Sequence, residues 1–189
     1  ALIGGGRNPQ PGEISLAHNG VLFLDELPEF QRQTLDQLRE PLESGFISIS
    51  RVNASVRYPC QFQWISAMNP CRCGFEGDPS GRCRCTAEEA RRYRQKISGP
   101  LQDRIGLQVR LSAIDPKELK QSRGSAEHSR TVKQRVINAR TRQLDRLGAT
   151  NARAHQARFE ARLMLEQSAD RFLDKAMAAL AISARGYYL

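Results

Sequence analysis

Residues 12–30 read GEISLAHNGVLFLDELPEF, and the middle of that stretch decides how the rest of the chain is interpreted. Val21-Leu22-Phe23-Leu24 is a continuous apolar run. A run of that length without polar alternation fits a strand buried on both faces, as at the centre of a parallel sheet. It ends in Asp25-Glu26. Side chains leaving the carboxyl end of such a strand stand where open α/β sheets bind ligands. A surface strand can also end in two acids, so the pair takes its weight from what surrounds it.

Upstream, the Gly- and Pro-rich residues 4–13 read as a loop. Downstream, Phe30, Leu35, Leu38 and Leu42 recur at helical spacing over residues 30–44, with Gly45 as the stop. Residues 46–50 and 54–58 alternate apolar and polar, which predicts a β-hairpin. A further strand is expected over residues 61–67, ending at Met68-Asn69-Pro70. Residues 71–85 carry four of the five cysteines and read as a loop. Thr86 followed by Glu89 is a capping-box pattern that opens a helix over 86–98. Leu107–Leu111 suggests a short third strand. Beyond residue 115 the pattern is helical: 129–147 with Gly148 as its stop, 158–167, 169–181 after a Ser168 cap, and a last helix from Ser183. The fold class is therefore α/β, a parallel sheet with flanking helices and a hairpin insertion, followed by an all-α part. The composition changes near residue 112, giving expected domains of 1–112 and 113–189.

The totals agree with a globular chain. It has 189 residues, 40% of them hydrophobic and 26% charged, without internal repeats. No stretch approaches the ~18 consecutive apolar residues of a membrane span, and Ala1-Leu2-Ile3-Gly4 does not open a secretory leader. A cytoplasmic location is expected. The formal charge of +9 is unevenly placed. Residues 1–109 hold 13 Lys and Arg against 12 Asp and Glu, whereas residues 110–189 hold 16 against 8. Such asymmetry marks either nucleic-acid contact or a solvated, Arg-rich helical surface.

The candidate chemistry follows the same order along the chain. In phosphate-loop NTPases an Asp placed like Asp25 holds Mg²⁺. A carboxylate beside it, here Glu26, can orient and deprotonate an attacking water. Asn69, at the end of a neighbouring strand, offers a polar side chain to a γ-phosphate or to that water. Arg104, in GPLQDRI, suits developing charge on a transferred phosphoryl group. A salt bridge to Asp103 or Glu40 is its structural alternative. Arg185 opens a helix within the helical part.

Taken together, GVLFLDELPEF, SAMNPCRCG, GPLQDRIGL and ISARGYY resemble the Walker B, sensor 1, arginine-finger and sensor 2 series of Mg-chelatase-like AAA+ ATPases, and most closely their ComM/YifB branch. The resemblance covers nearly the whole chain. It implies ATP and Mg²⁺ as cofactors, with Asp25 near Mg²⁺, Glu26 as catalytic base and Asn69 as sensor 1. It further implies that Arg104 acts on a neighbour's nucleotide and that Arg185 is sensor 2 of a helical lid. Self-association into a ring, expected to be a hexamer, and helicase or branch-migration work on DNA follow from the same resemblance. Two rivals stand beside it: a chelatase motor that drives metal into a porphyrin, and a non-enzymatic, zinc-stabilised nucleic-acid-binding module. One departure matters. No G-x-x-x-x-G-K-[ST] occurs, and GGGRNPQPG lacks both the Lys and the hydroxyl. The expectation is a fragment whose phosphate loop lies upstream of Ala1 and which is inactive alone.

Cys71-x-Cys73 and Cys83-x-Cys85 can close a tetrahedral Zn²⁺ site, although C-x-C is tighter than the usual C-x₂-C. Two disulfides or free thiols are the alternatives. Cys60 reads as a packing residue. In the hairpin, Arg51 and Arg57 suit either a phosphate-tracking pore loop or an interface. His18, His128 and His155 show no spacing that suggests a site.

Overall fold

The structure, a computed structural model, describes residues 2–51, 54–112, 127–153 and 166–180. The chain divides into two compact units at Ser112/Ala113.

The first unit is mixed α/β. Gly4–Gly5 (β1) and Gln10–Pro11 (β2) pair antiparallel, so the expected opening loop is closed as a small hairpin. Glu13–Leu16 (α1) leads into Val21–Leu24 (β3). After a 3₁₀ turn at Leu27–Glu29 come Arg32–Asp36 (α2) and Arg39–Ser44 (α3). One helix over 30–44 was expected, and two short ones are found. Pro41 explains the break: it has no N–H to offer the carbonyl four residues back, and its ring crowds that carbonyl. Gly45 does end the segment, with φ 71 at the C-cap, where a side chain would be strained.

Phe46–Arg51 (β4) and Ala54–Pro59 (β5) form the expected hairpin, registered Phe46↔Pro59 to Arg51↔Ala54. Gln63–Ser66 (β6) then pairs parallel with β3, Val21↔Gln63 through Leu24↔Ser66. A parallel pair needs a long crossover, and here the two short helices and the hairpin supply it.

Leu22 and Leu24 are buried in a core with Ile14, Leu27, Leu35, Leu38, Ile47, Cys60, Ile97 and Leu101. Each such Leu or Ile contributes roughly 1.5–3 kcal/mol by leaving water. Val21 and Phe23, on the other face of β3, are 57% and 56% exposed. The strand is thus covered on one face by the described residues, not on both as its apolar run suggested. An apolar run reports that a strand is half-buried or better, without counting the covered faces. Residues 107–111 also depart from expectation. They form no ladder with any described residue, and Leu107, Val109 and Leu111 are exposed.

Ala87–Arg94 (α4) begins at Thr86 with a complete capping box and is followed by Gly99–Gln102 (α5), with Pro100 in its first turn.

In the second unit the described elements are the helix Ser129–Leu147, stopped by Gly148 at φ 69, a 3₁₀ turn at Asn151–Arg153, and the helix Gln167–Leu180. The last of these starts before Ser168, so Ser168 lies inside it and does not cap it. The helix expected over 158–167 lies outside the described residues except for its last two, the second of which, Gln167, opens the next helix. The one expected from Ser183 lies outside them, as does Arg185. No helix among the described residues is long and apolar enough to cross a membrane.

Candidate functional site

Parallel register decides the site. Because Leu24 lies beside Ser66, the chain leaves β3 and β6 at the same end of the sheet. Asp25-Glu26 emerges from one strand and Ala67-Met68-Asn69 from the other. Two backbone bonds carry the pairing past the strand ends: Ala67 N–H donates to the Leu24 carbonyl and Leu27 N–H to the Ala67 carbonyl, each at 3.0 Å.

Glu26 sits between these bonds in a left-handed conformation, φ 50 and ψ 45. For a residue with a Cβ this costs roughly 1–2 kcal/mol. Burial on both sides holds it there, since Leu24, Leu27 and Pro28 are all buried. The Glu26 amide donates to Asp25 Oδ1 at 2.8 Å, which fixes the Asp25 carboxylate. Both acidic side chains are exposed. Backbone strain at an exposed acid, bracketed by core residues, is the kind of outlier that collects at functional sites.

The donor set suits a hard divalent cation, which takes oxygen ligands. Asp25 offers the oxygen that Glu26 leaves free. The same fit does not extend to a nucleotide's phosphates. Gly4 to Gly6 belong to the β1–β2 hairpin, and the Gly6 carbonyl accepts from Arg51 Nε at 3.3 Å. A phosphate cradle of this kind also needs a Lys, and residues 1–13 contain none.

Asn69 is exposed, and its side chain rests over Gly74, where a Cβ would lie 3.8 Å from Asn69 Oδ1. Gly74 closes a turn by donating to the Cys71 carbonyl at 3.0 Å. Around that turn the four loop cysteines converge: Sγ atoms of Cys71 and Cys73 are 3.4 Å apart, Cys73 and Cys83 3.6 Å, and Cys71 and Cys83 3.9 Å. Cys85 joins them, with all four sulfurs within 4.8 Å of one another. All five cysteines are free thiols. Hydrogen bonds from the backbone amides of Phe75 and Arg84 hold the Cys73 thiol down to about 6. This quartet is a grouping that could hold a metal ion.

Arg104 is brought elsewhere. Its Nη2 donates to the Glu43 carboxylate on α3 and its Nη1 to the Pro100 carbonyl. The alternatives expected from sequence, Asp103 and Glu40, are not the partner found. In the hairpin, Arg57 stacks 4.0 Å above the Phe46 ring and Arg51 also donates to the Ser50 carbonyl. Sequence reasoning passed over Arg94 and Glu43 and set His18 aside. Arg94 donates to the Pro70 carbonyl at 2.9 Å and pairs with Glu76, tying α4 to the cysteine loop. Glu43 anchors Arg104. His18 accepts from the Gln61 amide through Nδ1 at 3.1 Å, joining the entrance of β3 to that of β6. Such partners are non-local, and no spacing rule in a single sequence marks them.

Comparison with known proteins gives two family matches. A family model described as magnesium chelatase, subunit ChlI, matches residues 1–119, and one for the ChlI C-terminal region matches residues 126–188. The chain is 46% identical over 188 residues to the YifB protein of Salmonella typhimurium, covering 99% of this chain and 37% of that protein. It is 42% identical to competence protein ComM of Haemophilus influenzae, covering 100% of this chain and 36% of that protein. With the magnesium-chelatase subunit ChlI of Porphyra purpurea it shares 31% over 70 residues, 37% of this chain and 20% of that protein. The chain thus spans little more than a third of the length of the YifB and ComM proteins it matches.

Proposed function

This chain belongs to the magnesium chelatase ChlI family, in the branch of YifB and ComM, and from that premise we propose that it is the hydrolysis-and-sensing part of an ATP-driven ring motor acting on DNA. One observation carries the reading: the parallel β3–β6 register brings Asp25-Glu26 and the turn bearing Asn69 out of the same sheet end.

Bound Mg-ATP supplies the phosphoryl group and its charge-neutralising cation. Asp25, fixed by the Glu26 amide, presents its second oxygen to the cation. Glu26, held outward by its left-handed backbone, takes a proton from the attacking water. Asn69 orients that water or the γ-phosphate by hydrogen bonding. Arg104 leaves Glu43 to meet the nucleotide of a neighbouring subunit. Arg185 contributes as sensor 2 from residues 113–189, a helical lid. The phosphate loop comes from another part of the protein, and the ring is a hexamer. The excess of Lys and Arg after residue 110 meets DNA phosphates. The 42% identity to competence protein ComM supports a ComM-like role, of which helicase or branch-migration work is the finer reading proposed. A reducing cytoplasm suits the free thiols.

The test uses the full-length protein. ATP turnover should rise with single-stranded DNA, and Glu26→Gln should bind ATP while losing ~10²–10⁴-fold in turnover. The ChlI match over residues 1–119 favours a second reading, a chelatase motor. Turnover that ignores DNA and responds to chelatase partner subunits would select it. Near-normal turnover by Glu26→Gln would remove Glu26 as the base.

A further inference from the structure

We propose that Cys71, Cys73, Cys83 and Cys85 form a structural tetrathiolate Zn²⁺ centre that clamps the turn following Asn69 to the start of α4.

The geometry fits the ion. Zn–S bonds of about 2.3 Å in a tetrahedron place the sulfurs about 3.8 Å apart. The recorded separations of 3.4, 3.6 and 3.9 Å straddle that value, and the fourth sulfur completes a set within 4.8 Å. No pair lies at the ~2.0 Å of a covalent S–S bond. Soft thiolate ligands in a closed set of four select Zn²⁺ over Mg²⁺ or Ca²⁺.

The surroundings are built for it. Cys71 is fully buried, whereas the other three are half-exposed. A tetrathiolate Zn²⁺ centre keeps residual negative charge, and Arg72, Arg82 and Arg84 lie in the same loop. Arg82 is itself fixed by Asp78 at 3.0 Å and stacks on Phe75 at 4.4 Å.

The loop has no regular element of its own and little apolar content, so it cannot close by burial. Its ends are placed tellingly. Cys71 follows Asn69 by two residues, and Cys85 immediately precedes Thr86, the N-cap of α4. One ion would therefore bind the exit of β6 to the entrance of a helix, with Gly74 held under Asn69. The consequence for Asn69 rests on the function proposed above; the metal does not, and its content is measured without nucleotide.

The full chain, purified without chelator, should carry about one Zn per chain beyond any metal that Cys73→Ser retains. Cys60→Ala should keep the full amount. Co²⁺ exchanged into the site should show the charge-transfer and d–d bands of a tetrahedral tetrathiolate. A second readout that needs no folded variant uses wild-type protein stripped by chelator and re-supplied with Zn²⁺. Trypsin should cut at Arg72, Arg82 and Arg84 after stripping and stop doing so after re-supply, while the β3–β6 core survives. Iron in place of zinc, disulfides found by mass spectrometry, or a metal-free loop that resists trypsin would each overturn the proposal.

Discussion

Arg104 donates through Nη2 to the carboxylate of Glu43, 61 residues earlier in the same chain. Its side chain is only 12% exposed, and its Nε is buried without an acceptor among the described residues. An arginine that serves a neighbouring subunit has to be let go by this pair first. Mixed rings test which role dominates. Subunits carrying Arg104→Ala are combined with subunits whose phosphate loop is disabled, and ATP turnover is followed against mixing ratio. Recovery at the hybrid interfaces is expected. No recovery at any ratio means that Arg104 serves its own chain through Glu43. In the isolated chain the substitution should cost about 1 kcal/mol or less for the ion pair, because Glu43 is half-exposed.

Glu26 supplies a sharper signature, because its backbone strain and its proposed chemistry pull in opposite directions. At φ 50 the side chain costs roughly 1–2 kcal/mol. Glycine removes that cost and adds about 0.5–1 kcal/mol of unfolded-state entropy. Glu26→Gly should therefore stabilise the chain by about 0.5–1 kcal/mol in urea denaturation while abolishing turnover in the full-length protein. Glu26→Gln should leave stability unchanged and abolish turnover equally. If Glu26→Gly destabilises the fold, the left-handed turn is held by the carboxylate and not by Leu24 and Leu27.

Much of this arrangement is legible in the sequence, and the boundary of legibility is physical. Local signals read true: the Thr86–Glu89 box opens α4, Gly45 and Gly148 stop their helices, and alternation over 46–58 is a hairpin. Each depends on residues a few positions apart. Coverage of a strand depends on distant elements, and the run Val21–Leu24 could not announce that Val21 and Phe23 stay exposed. The break between α2 and α3 was readable at Pro41, but the apolar spacing of Leu35, Leu38 and Leu42 spoke louder. In the candidate site, the order of Asp25, Glu26 and Asn69 along the chain was legible, and the parallel register of β3 and β6 sends the segments bearing them out of one sheet end. The partners that fix Arg104 and the cysteine loop, Glu43 for Arg104 and Arg94 for Pro70, arise from packing over 61 and 24 residues, where sequence carries no spacing signal.

The start of α4 should respond to acid. Glu89 accepts from the Thr86 amide at 2.7 Å and from its hydroxyl at 3.0 Å, and these bonds hold its carboxyl below the usual range. A carboxyl lowered in the folded state stabilises above its ordinary pKa, near ~4.3, and that stability is lost as pH falls through the folded value. Hydrogen-exchange protection of the Ala87–Arg94 amides should fade below pH ~4. Thr86→Ala should cost about 1 kcal/mol at neutral pH and flatten this acid response. A helix equally acid-sensitive with and without Thr86 would place the titrating group elsewhere.

Cys60 should behave unlike Cys73, and the contrast is measurable at alkaline pH. It is 1% exposed, sits in the core beside Ile47 and Leu101, and its amide donates to the Gly45 carbonyl at 2.8 Å. Burial, with a smaller push from the Glu40 charge, raises its thiol to about 11. At pH 8 roughly one Cys60 in a thousand would be the reactive thiolate. In chelator-stripped native protein, iodoacetamide should label the lowered Cys73 thiol within minutes and reach Cys60 only at the rate of global unfolding. The linkage has a definite sign. A raised folded pKa means that stability is intact below the unfolded thiol's ~8.5 and falls as pH climbs toward 11. Wild-type protein should therefore lose more stability between pH 8 and pH 10.5 than Cys60→Ala does, although the variant is weaker at pH 7 for want of the buried sulfur. Parallel alkaline losses in the two proteins, or rapid native labelling of Cys60, would show that the thiol is hydrated and the core around Ile47 open.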